Sequence, residues 1–86
     1  MFWIEPPKFD LTANAKLKMK QYDLNKNDLL SIFNSFDKEI IKRKNLYWRL
    51  KKWGKYTAGI SLYWDFDERR WVINSCWKFK TWEYER

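Results

Sequence analysis

Histidine is absent from this sequence of 86 residues, and cysteine occurs once, at Cys76. The absence of histidine excludes a cysteine/histidine zinc site and the serine–histidine and cysteine–histidine catalytic pairs. It also removes the most common general base at neutral pH, so any catalysis must use other side chains. A single cysteine cannot form an intramolecular disulfide, and we therefore expect a reducing, cytoplasmic location.

Glycine and proline are scarce, with two residues of each, and the sequence contains no repeat and no Pro/Gly/Ser-rich linker. We therefore predict a single domain over 1–86. Its predicted parts are an extended arm over 1–10, a helical pair over 11–36, an antiparallel sheet over 37–80 and a tail over 81–86. The apolar run near the start is too short for a signal peptide or a membrane span, so we expect a soluble, unprocessed protein without a membrane partner.

Aromatic and basic residues are abundant. Seven Trp, six Phe and five Tyr make up 21% of the chain, which predicts an aromatic core. Eighteen Lys and Arg against eleven Asp and Glu give a net charge of +7. Such a balance favours phosphate-bearing or acidic partners through long-range attraction.

Two helices are predicted first. Leu11, Ala15, Met19 and Tyr22 recur at the spacing of one helix face, which predicts a helix from Leu11 to Tyr22. Asn25 is a good N-cap for a second helix, over 26–36.

Past residue 36 the apolar period changes from 3.6 to 2, which indicates strands. We expect a three-stranded antiparallel meander, with a fourth strand at "KEIIKRK". The predicted fold is α+β, with both N-terminal helices on one face of a three- to four-stranded antiparallel sheet. The residues expected to face the helices are Leu46, Trp48, Leu50, Ala58, Ile60, Leu62, Trp64, Trp71, Ile73, Trp77 and Phe79.

The segment "NAKLKMKQYDLNKNDLLSIF" and the strands that follow it resemble the small domains related to the BrnT and RelE toxins. The matching positions are Asn14, Ala15, Lys18 and Met19 in the first helix and Leu24, Asn25, Asp28 and Leu29 at the second. The resemblance covers 11–79 in element order. It implies a RelE-like fold, a cytoplasmic protein often carried by mobile elements, and RNA cleavage as the best-known activity of the wider group.

The chain departs from that pattern at several positions. Asn14 stands where the family has histidine, while Lys18 and Tyr22 stand where it has arginine. The resemblance to BrnT also implies a basic residue in the last strand at the position where this chain has Ser75, Cys76 and Trp77. These departures put catalysis in doubt.

If the predicted parity holds, the opposite sheet face combines tyrosine rings with basic side chains around Gly59 and Ser61, as single-stranded nucleic-acid sites do. The candidate residues for binding RNA or DNA are Lys42, Arg43, Lys44, Tyr47, Arg49, Lys51, Lys52, Tyr63, Arg70, Lys78 and Lys80. The same face is also consistent with a solvated sheet surface, or with a surface that binds another protein.

For a metal-independent endoribonuclease, the candidate catalytic residues are Arg49, Lys51 and Lys78, with Tyr63, Lys80 and Tyr84 as further candidates. No cofactor is implied. The candidate protein partners are an acidic antitoxin or another protein. The alternative function is a non-enzymatic interaction module, such as a regulator or inhibitor encoded by a phage or plasmid.

Three smaller features are also considered. Asp65, Asp67 and Glu68 offer oxygen ligands for Mg²⁺, but beside two arginines they are typical of a charged turn, so we predict no metal site. Nothing in the sequence lowers the pKa of Cys76 to make it a nucleophile. Trp82 and Tyr84 are candidates for capping the core, binding a partner or forming an oligomer.

Overall fold

The computed structural model of the chain describes residues 9–81, which form two helices and a five-stranded sheet. In chain order the elements are β1 (Phe9–Leu11), α1 (Ala13–Tyr22), α2 (Lys26–Asn34), β2 (Lys38–Arg43), β3 (Leu46–Trp53), β4 (Tyr56–Asp65) and β5 (Arg70–Lys80). The α+β class predicted from the sequence is confirmed. Most of the predicted N-terminal arm lies outside the described residues, as does the predicted tail beyond 81, with Trp82 and Tyr84.

Each helix begins after a polar residue that caps it. The hydroxyl oxygen of Thr12 accepts a hydrogen bond from the Ala15 amide at 3.1 Å. At α2 the Asp28 amide donates to the Asn25 side chain at 2.8 Å, and the Asn25 amide donates to the Asp28 carboxylate at 2.9 Å. The predicted cap at Asn25 is confirmed, and the reciprocal pair satisfies two of the amides that a helix start leaves without partners.

The sheet is mixed, with the strand order β1-β5-β4-β3-β2. Strands β2 to β5 pair antiparallel, whereas β1 pairs parallel with β5. The expectation of a purely antiparallel sheet with three to four strands is therefore corrected. Strand β1 was not predicted, because its three residues are too few to show a period, and Leu11 was predicted to begin the first helix.

The main core lies between the two helices and one side of the sheet, which we call the helix side. Its fully buried side chains come from α1 and α2 above and from β4 and β5 below: Ala15, Leu29, Ile32, Ala58, Ile60, Leu62 and Ile73. Burying each of the larger aliphatic side chains contributes about 1.5 to 3 kcal/mol. The opposite side of the sheet is called the far side.

The side chains of β3 that face the helices are not the ones predicted to do so. Residues directly paired across strands share a face, and Tyr47, Arg49 and Lys51 pair with Leu62, Ile60 and Ala58, which are on the helix side. Leu46, Trp48 and Leu50 consequently lie on the far side. The alternation was ambiguous because both parities of β3 carry large side chains.

A β-bulge reverses the parity of β5 partway along the strand. The register shifts between Ser61 and Leu62 on β4, opposite Asn74 on β5. Trp71 and Ile73 pair with residues of the helix side as predicted, but beyond the bulge the helix-side residues become Cys76, Lys78 and Lys80. Since a bulge adds one residue to one strand, it turns every later side chain to the other face. Trp77 and Phe79 were therefore placed on the wrong side.

The far side carries an apolar layer of its own, centred on Gly59. A Cβ atom at this position would lie 2.6 Å from both Leu50 Cδ2 and Trp77 Cε2, so these side chains rest directly on the glycine backbone. The Trp77 ring meets the Trp48 ring edge-on, with 5.0 Å between centroids. Gly59 is therefore required for close approach.

Candidate nucleic-acid interface

Arg49, a predicted catalytic and binding residue, is fully engaged in holding α2. Its Nε donates to Glu39 Oε2 at 2.7 Å, and its Nη1 donates to the Phe33 carbonyl oxygen at 2.9 Å. The guanidinium carbon also lies 4.9 Å and 4.6 Å from the ring centroids of Phe33 and Phe36. A cation that binds a free carbonyl at the end of a helix satisfies that carbonyl and complements the helix dipole. The structure thus gives Arg49 a structural role.

Lys51, the next residue of this parity on β3, binds the same helix end. Its Nζ donates to the Ser35 carbonyl oxygen at 2.7 Å. This contact is exposed, so the ammonium can exchange the neutral carbonyl for an anionic group such as a phosphate at small cost. Lys51 therefore remains available for ligand binding, in contrast to Arg49.

Tyr47, the third helix-side residue of β3, belongs to the core. Its ring meets Trp71 edge-on with 5.8 Å between centroids, and Trp71 in turn contacts Trp64 and Phe33 at 5.4 Å and 6.2 Å. The predicted role of Tyr47 as a stacking platform on an open sheet face does not fit this position.

Apart from Lys42 at the β2–β3 turn, the far side keeps three of the predicted binding residues, and they are spread along it. Arg70 Nη1 forms an ion pair with Asp10 Oδ1 at 3.0 Å, and Tyr63 lies on the neighbouring strand near the same end of the sheet. Lys52 pairs with Thr57 near the opposite end. These residues do not form the continuous basic and aromatic face that was expected.

The basic run of Lys42, Arg43 and Lys44 lies at the turn between β2 and β3. Lys42 Nζ is 4.3 Å from the centroid of the Trp48 ring, and Arg43 and Lys44 are exposed. Asn45 adopts a left-handed conformation with φ of 58° and exchanges two hydrogen bonds with the Trp64 backbone, which ties the turn to β4. At a rise of about 3.3 Å per residue, the length of β3 separates this turn from Lys80 by roughly 20 Å.

The densest combination of basic and aromatic side chains lies at the other end of the sheet, on the helix side. Tyr56 is 45% exposed, and Lys78 Nζ is 5.5 Å from the centroid of its ring. Lys80 pairs with Tyr56 across the strands, and Lys55 is exposed in the adjoining turn. We call these four residues, together with Lys51, the hairpin-end patch.

The pairing register explains how the hairpin-end patch forms. Lys51 and Lys78 flank the small, buried Ala58 on the same side, two strand spacings or about 10 Å apart. These two lysines and Lys80 were predicted from the sequence, whereas Lys55 and Tyr56 were not. The segment "KWGKY" was predicted only to contain a turn, although Tyr56 shares its parity with Ala58, which was predicted to lie in the core.

Asp37 lies beside the hairpin-end patch, where its Oδ2 accepts a hydrogen bond from the Lys52 amide at 2.7 Å, next to Lys51. Other acidic side chains with assigned contacts lie farther from Tyr56, Lys78 and Lys80. Glu39 is bound to Arg49 and Asp10 to Arg70. Asp65 is in the turn between β4 and β5 at the opposite end, where its Oδ1 accepts hydrogen bonds from the amides of Asp67 and Glu68 at 3.0 and 3.2 Å. These bonds account for the acidic cluster as a turn, and over 9–81 no group of side chains is suited to hold a metal ion.

Cys76 is not placed for nucleophilic chemistry. It is buried in the core, where its thiol donates to the Ala15 carbonyl oxygen at 3.8 Å. Burial raises the pKa of the Cys76 thiol to about 11, and the nearby Lys18 ammonium offsets only part of this. At neutral pH the thiol is protonated, so the reactive thiolate is essentially absent.

Neither helix within 9–81 has the length and apolar character needed to cross a membrane.

The fold and the patch define the class of the protein: a small, basic α+β domain with a lysine and tyrosine surface at one end of its sheet. Comparisons with protein-family models, with curated proteins and with solved structures return no match.

Proposed function

We propose that the chain binds nucleic acid, RNA in particular, through the hairpin-end patch. The observation that carries this proposal is the clustering of Lys51, Lys55, Lys78 and Lys80 around the exposed ring of Tyr56. Ammonium groups neutralise phosphates, and an exposed aromatic ring can stack on an unpaired base. The net charge of +7 supports the same partner by long-range attraction.

We further propose that the chain is related to the BrnT and RelE toxins. The order of two helices before an antiparallel meander supports a RelE-like arrangement, to which β1 adds a parallel edge strand. We propose a relative whose ribonuclease activity is weak or lost, because the candidate catalytic residue Arg49 is committed to α2. Of the three predicted catalytic residues, Lys51 and Lys78 keep that candidacy. A cytoplasmic location belongs to the same proposal.

Salt dependence tests nucleic-acid binding directly. Fluorescence anisotropy would measure the affinity for a labelled single-stranded RNA of about 12 nucleotides, within the site sizes of single-strand-binding domains. The logarithm of the binding constant should fall linearly with the logarithm of the salt concentration, by about 0.7 per phosphate neutralised. Absence of binding at low salt, to this RNA and to duplex DNA, would rule out the function.

Paired variants locate the interface. The double variant Lys78→Gln and Lys80→Gln should reduce the salt slope by about 1.4, because two phosphate contacts are lost. The matched control, Lys16→Gln and Lys20→Gln, removes the same charge from exposed positions of α1 and should leave the slope unchanged. Equal losses in the two double variants would show that only net charge matters and would argue against the patch.

Tyr56 provides a test that does not involve charge. Stacking of one base on an aromatic ring is worth about 1 to 3 kcal/mol, so Tyr56→Leu should weaken RNA binding by roughly 5- to 150-fold with an unchanged salt slope. Tyr56→Phe keeps the ring and should bind as the wild type does. If Tyr56→Leu also binds normally, the ring takes no part.

A second candidate function is the binding of another protein, as in a regulator or inhibitor. It is favoured by the edge strand β2, which has β3 as its only neighbour among the described strands. An acidic partner, such as an antitoxin, belongs to this candidate function.

A further inference from the structure

The edge strand β2 has little buried surface of its own. Of its six residues only Ile40 is half-buried, and Ile41, on the helix side, is 69% exposed. The strand is attached through its pairing with β3 and through the ion pair between Glu39 and Arg49. Fixing the backbone of one residue costs about 1 to 2 kcal/mol in conformational entropy. The small area that β2 buries offsets only part of this cost. The opposite edge strand, β1, has three residues and offers a much shorter template.

Charge determines which strand can pair with the outer edge of β2. Lys42, Arg43 and Lys44 follow one another at its C-terminal end, and the acidic residue of the strand, Glu39, is already paired with Arg49. From Lys38 to Lys44 the chain carries four basic residues and one acidic residue, so pairing two copies through β2 would bring together two strands of the same net positive charge. Net repulsion disfavours a second copy of this chain and favours an acidic strand.

We infer that β2 is a docking edge for an extended acidic segment of another protein, which would add a sixth strand to the sheet. This inference rests on the second candidate function and is independent of nucleic-acid binding at the hairpin-end patch. The occupant alternates apolar and acidic residues. Its apolar side chains cover Ile41 on the helix side, and its carboxylates meet the basic residues around the turn between β2 and β3.

The test uses a synthetic peptide of six alternating valine and glutamate residues, which matches the length of β2. Hydrogen exchange of the full chain with saturating peptide should show the β2 amides slowed by at least about tenfold, because strand addition occupies the outer backbone groups of that strand. A peptide of the same pattern with lysine in place of glutamate should not bind. A glutamate peptide with proline at its third and fourth positions should not bind either, because proline cannot donate to a strand ladder.

Charge reversal provides the matched protein variants. Arg43→Glu with Lys44→Glu should weaken binding of the valine and glutamate peptide by at least about tenfold, through lost attraction and added repulsion. Lys16→Glu with Lys20→Glu makes the same change of charge on exposed positions of α1 and should alter the affinity by less than about twofold. Both pairs are exposed, so circular dichroism should show a native fold.

Several results would overturn the inference. These are no binding of the valine and glutamate peptide at millimolar concentration, equal binding of the proline peptide, or slowed exchange confined to strands other than β2. A concentration-dependent dimer of the free chain that protects β2 would show instead that the edge pairs with a second copy. None of these results bears on RNA binding at the hairpin-end patch, which the Lys78→Gln and Lys80→Gln variant tests separately.

Discussion

Replacing Arg49 by methionine separates a structural role from a binding role. Methionine keeps much of the unbranched stem and its contact with Phe33, but it loses the charge and all donors. The Phe33 carbonyl oxygen then loses a bond from a charged donor, which is worth about 1.5 to 3 kcal/mol. The ion pair with Glu39 adds about 0.5 kcal/mol or less, because both side chains keep some contact with water, at 16% and 31% exposure.

We therefore expect Arg49→Met to lower the free energy of unfolding by about 2 to 3 kcal/mol. For a domain of this size that corresponds to a fall in Tm of roughly 10 to 20 °C. Urea unfolding followed by circular dichroism, together with a calorimetric scan, measures both quantities. The matched control is Arg43→Met, an exposed arginine at the end of β2, which should change the stability by less than about 0.5 kcal/mol.

The opposite pattern would refute this reasoning. If Arg49→Met unfolds at the wild-type urea concentration yet binds RNA much more weakly, Arg49 contacts the ligand and does not hold α2. If it loses stability but, below its unfolding temperature, binds RNA as the wild type does, the structural assignment stands.

Three further predictions concern stability. Burial raises the pKa of the Cys76 thiol from its usual 9.0 to about 11, so the unfolded chain ionises first, and the contribution of Cys76 to the free energy of unfolding is fully present below pH 9 and is lost as pH rises towards 11. The difference in free energy of unfolding between the wild type and Cys76→Ala, measured by urea unfolding, should therefore be smaller at pH 10.5 than at pH 8 by about 2 kcal/mol. A difference that stays constant between these pH values would contradict the raised pKa. Asn25→Ala should lower the free energy of unfolding by about 1 kcal/mol, because it removes the α2 cap. The control Asn27→Ala, in the first turn of the same helix, should lower it by less than about 0.5 kcal/mol, and equal losses would mean that the cap contributes little. Gly59→Ala should lower the free energy of unfolding in urea by about 1 to 3 kcal/mol and shift the tryptophan fluorescence, because the new Cβ overlaps Leu50 and Trp77. Ser61→Ala adds no atom and serves as the control. A Gly59→Ala variant as stable as the wild type would show that Trp77 does not rest on the glycine.

Local features of the fold were predictable because their causes are local. The cap at Asn25 depends on a polar side chain three residues before Asp28, and this spacing is visible in the sequence. The change of apolar period after Phe36 correctly indicated β2 to β5, since alternation reflects a strand whatever its neighbours are. The hairpin of β3 and β4 also follows from Gly54, whose φ of 60° suits the turn.

The candidate site was predicted in part only, because it depends on which face each strand presents. Lys51, Lys78 and Lys80 were named as candidates and do lie on one side of the sheet, but that side is the one that carries the helices. Their predicted companions Tyr63 and Arg70 lie on the other side. Tyr56, the exposed ring of the patch, was not singled out, since nothing local distinguishes it from the other aromatic residues.

The sequence by itself determined the α+β class, the start of α2 and the presence of the four antiparallel strands, because capping and periodicity act over a few neighbouring residues. The tertiary structure alone decided the short strand β1, the faces of β3 and the reversal at Asn74 in β5. Alternation in a strand shows that two faces exist but not which one meets the helices, and one extra residue in a bulge exchanges them. For that reason Arg49 binds a helix end, whereas Lys78 and Lys80 join Tyr56 at the surface.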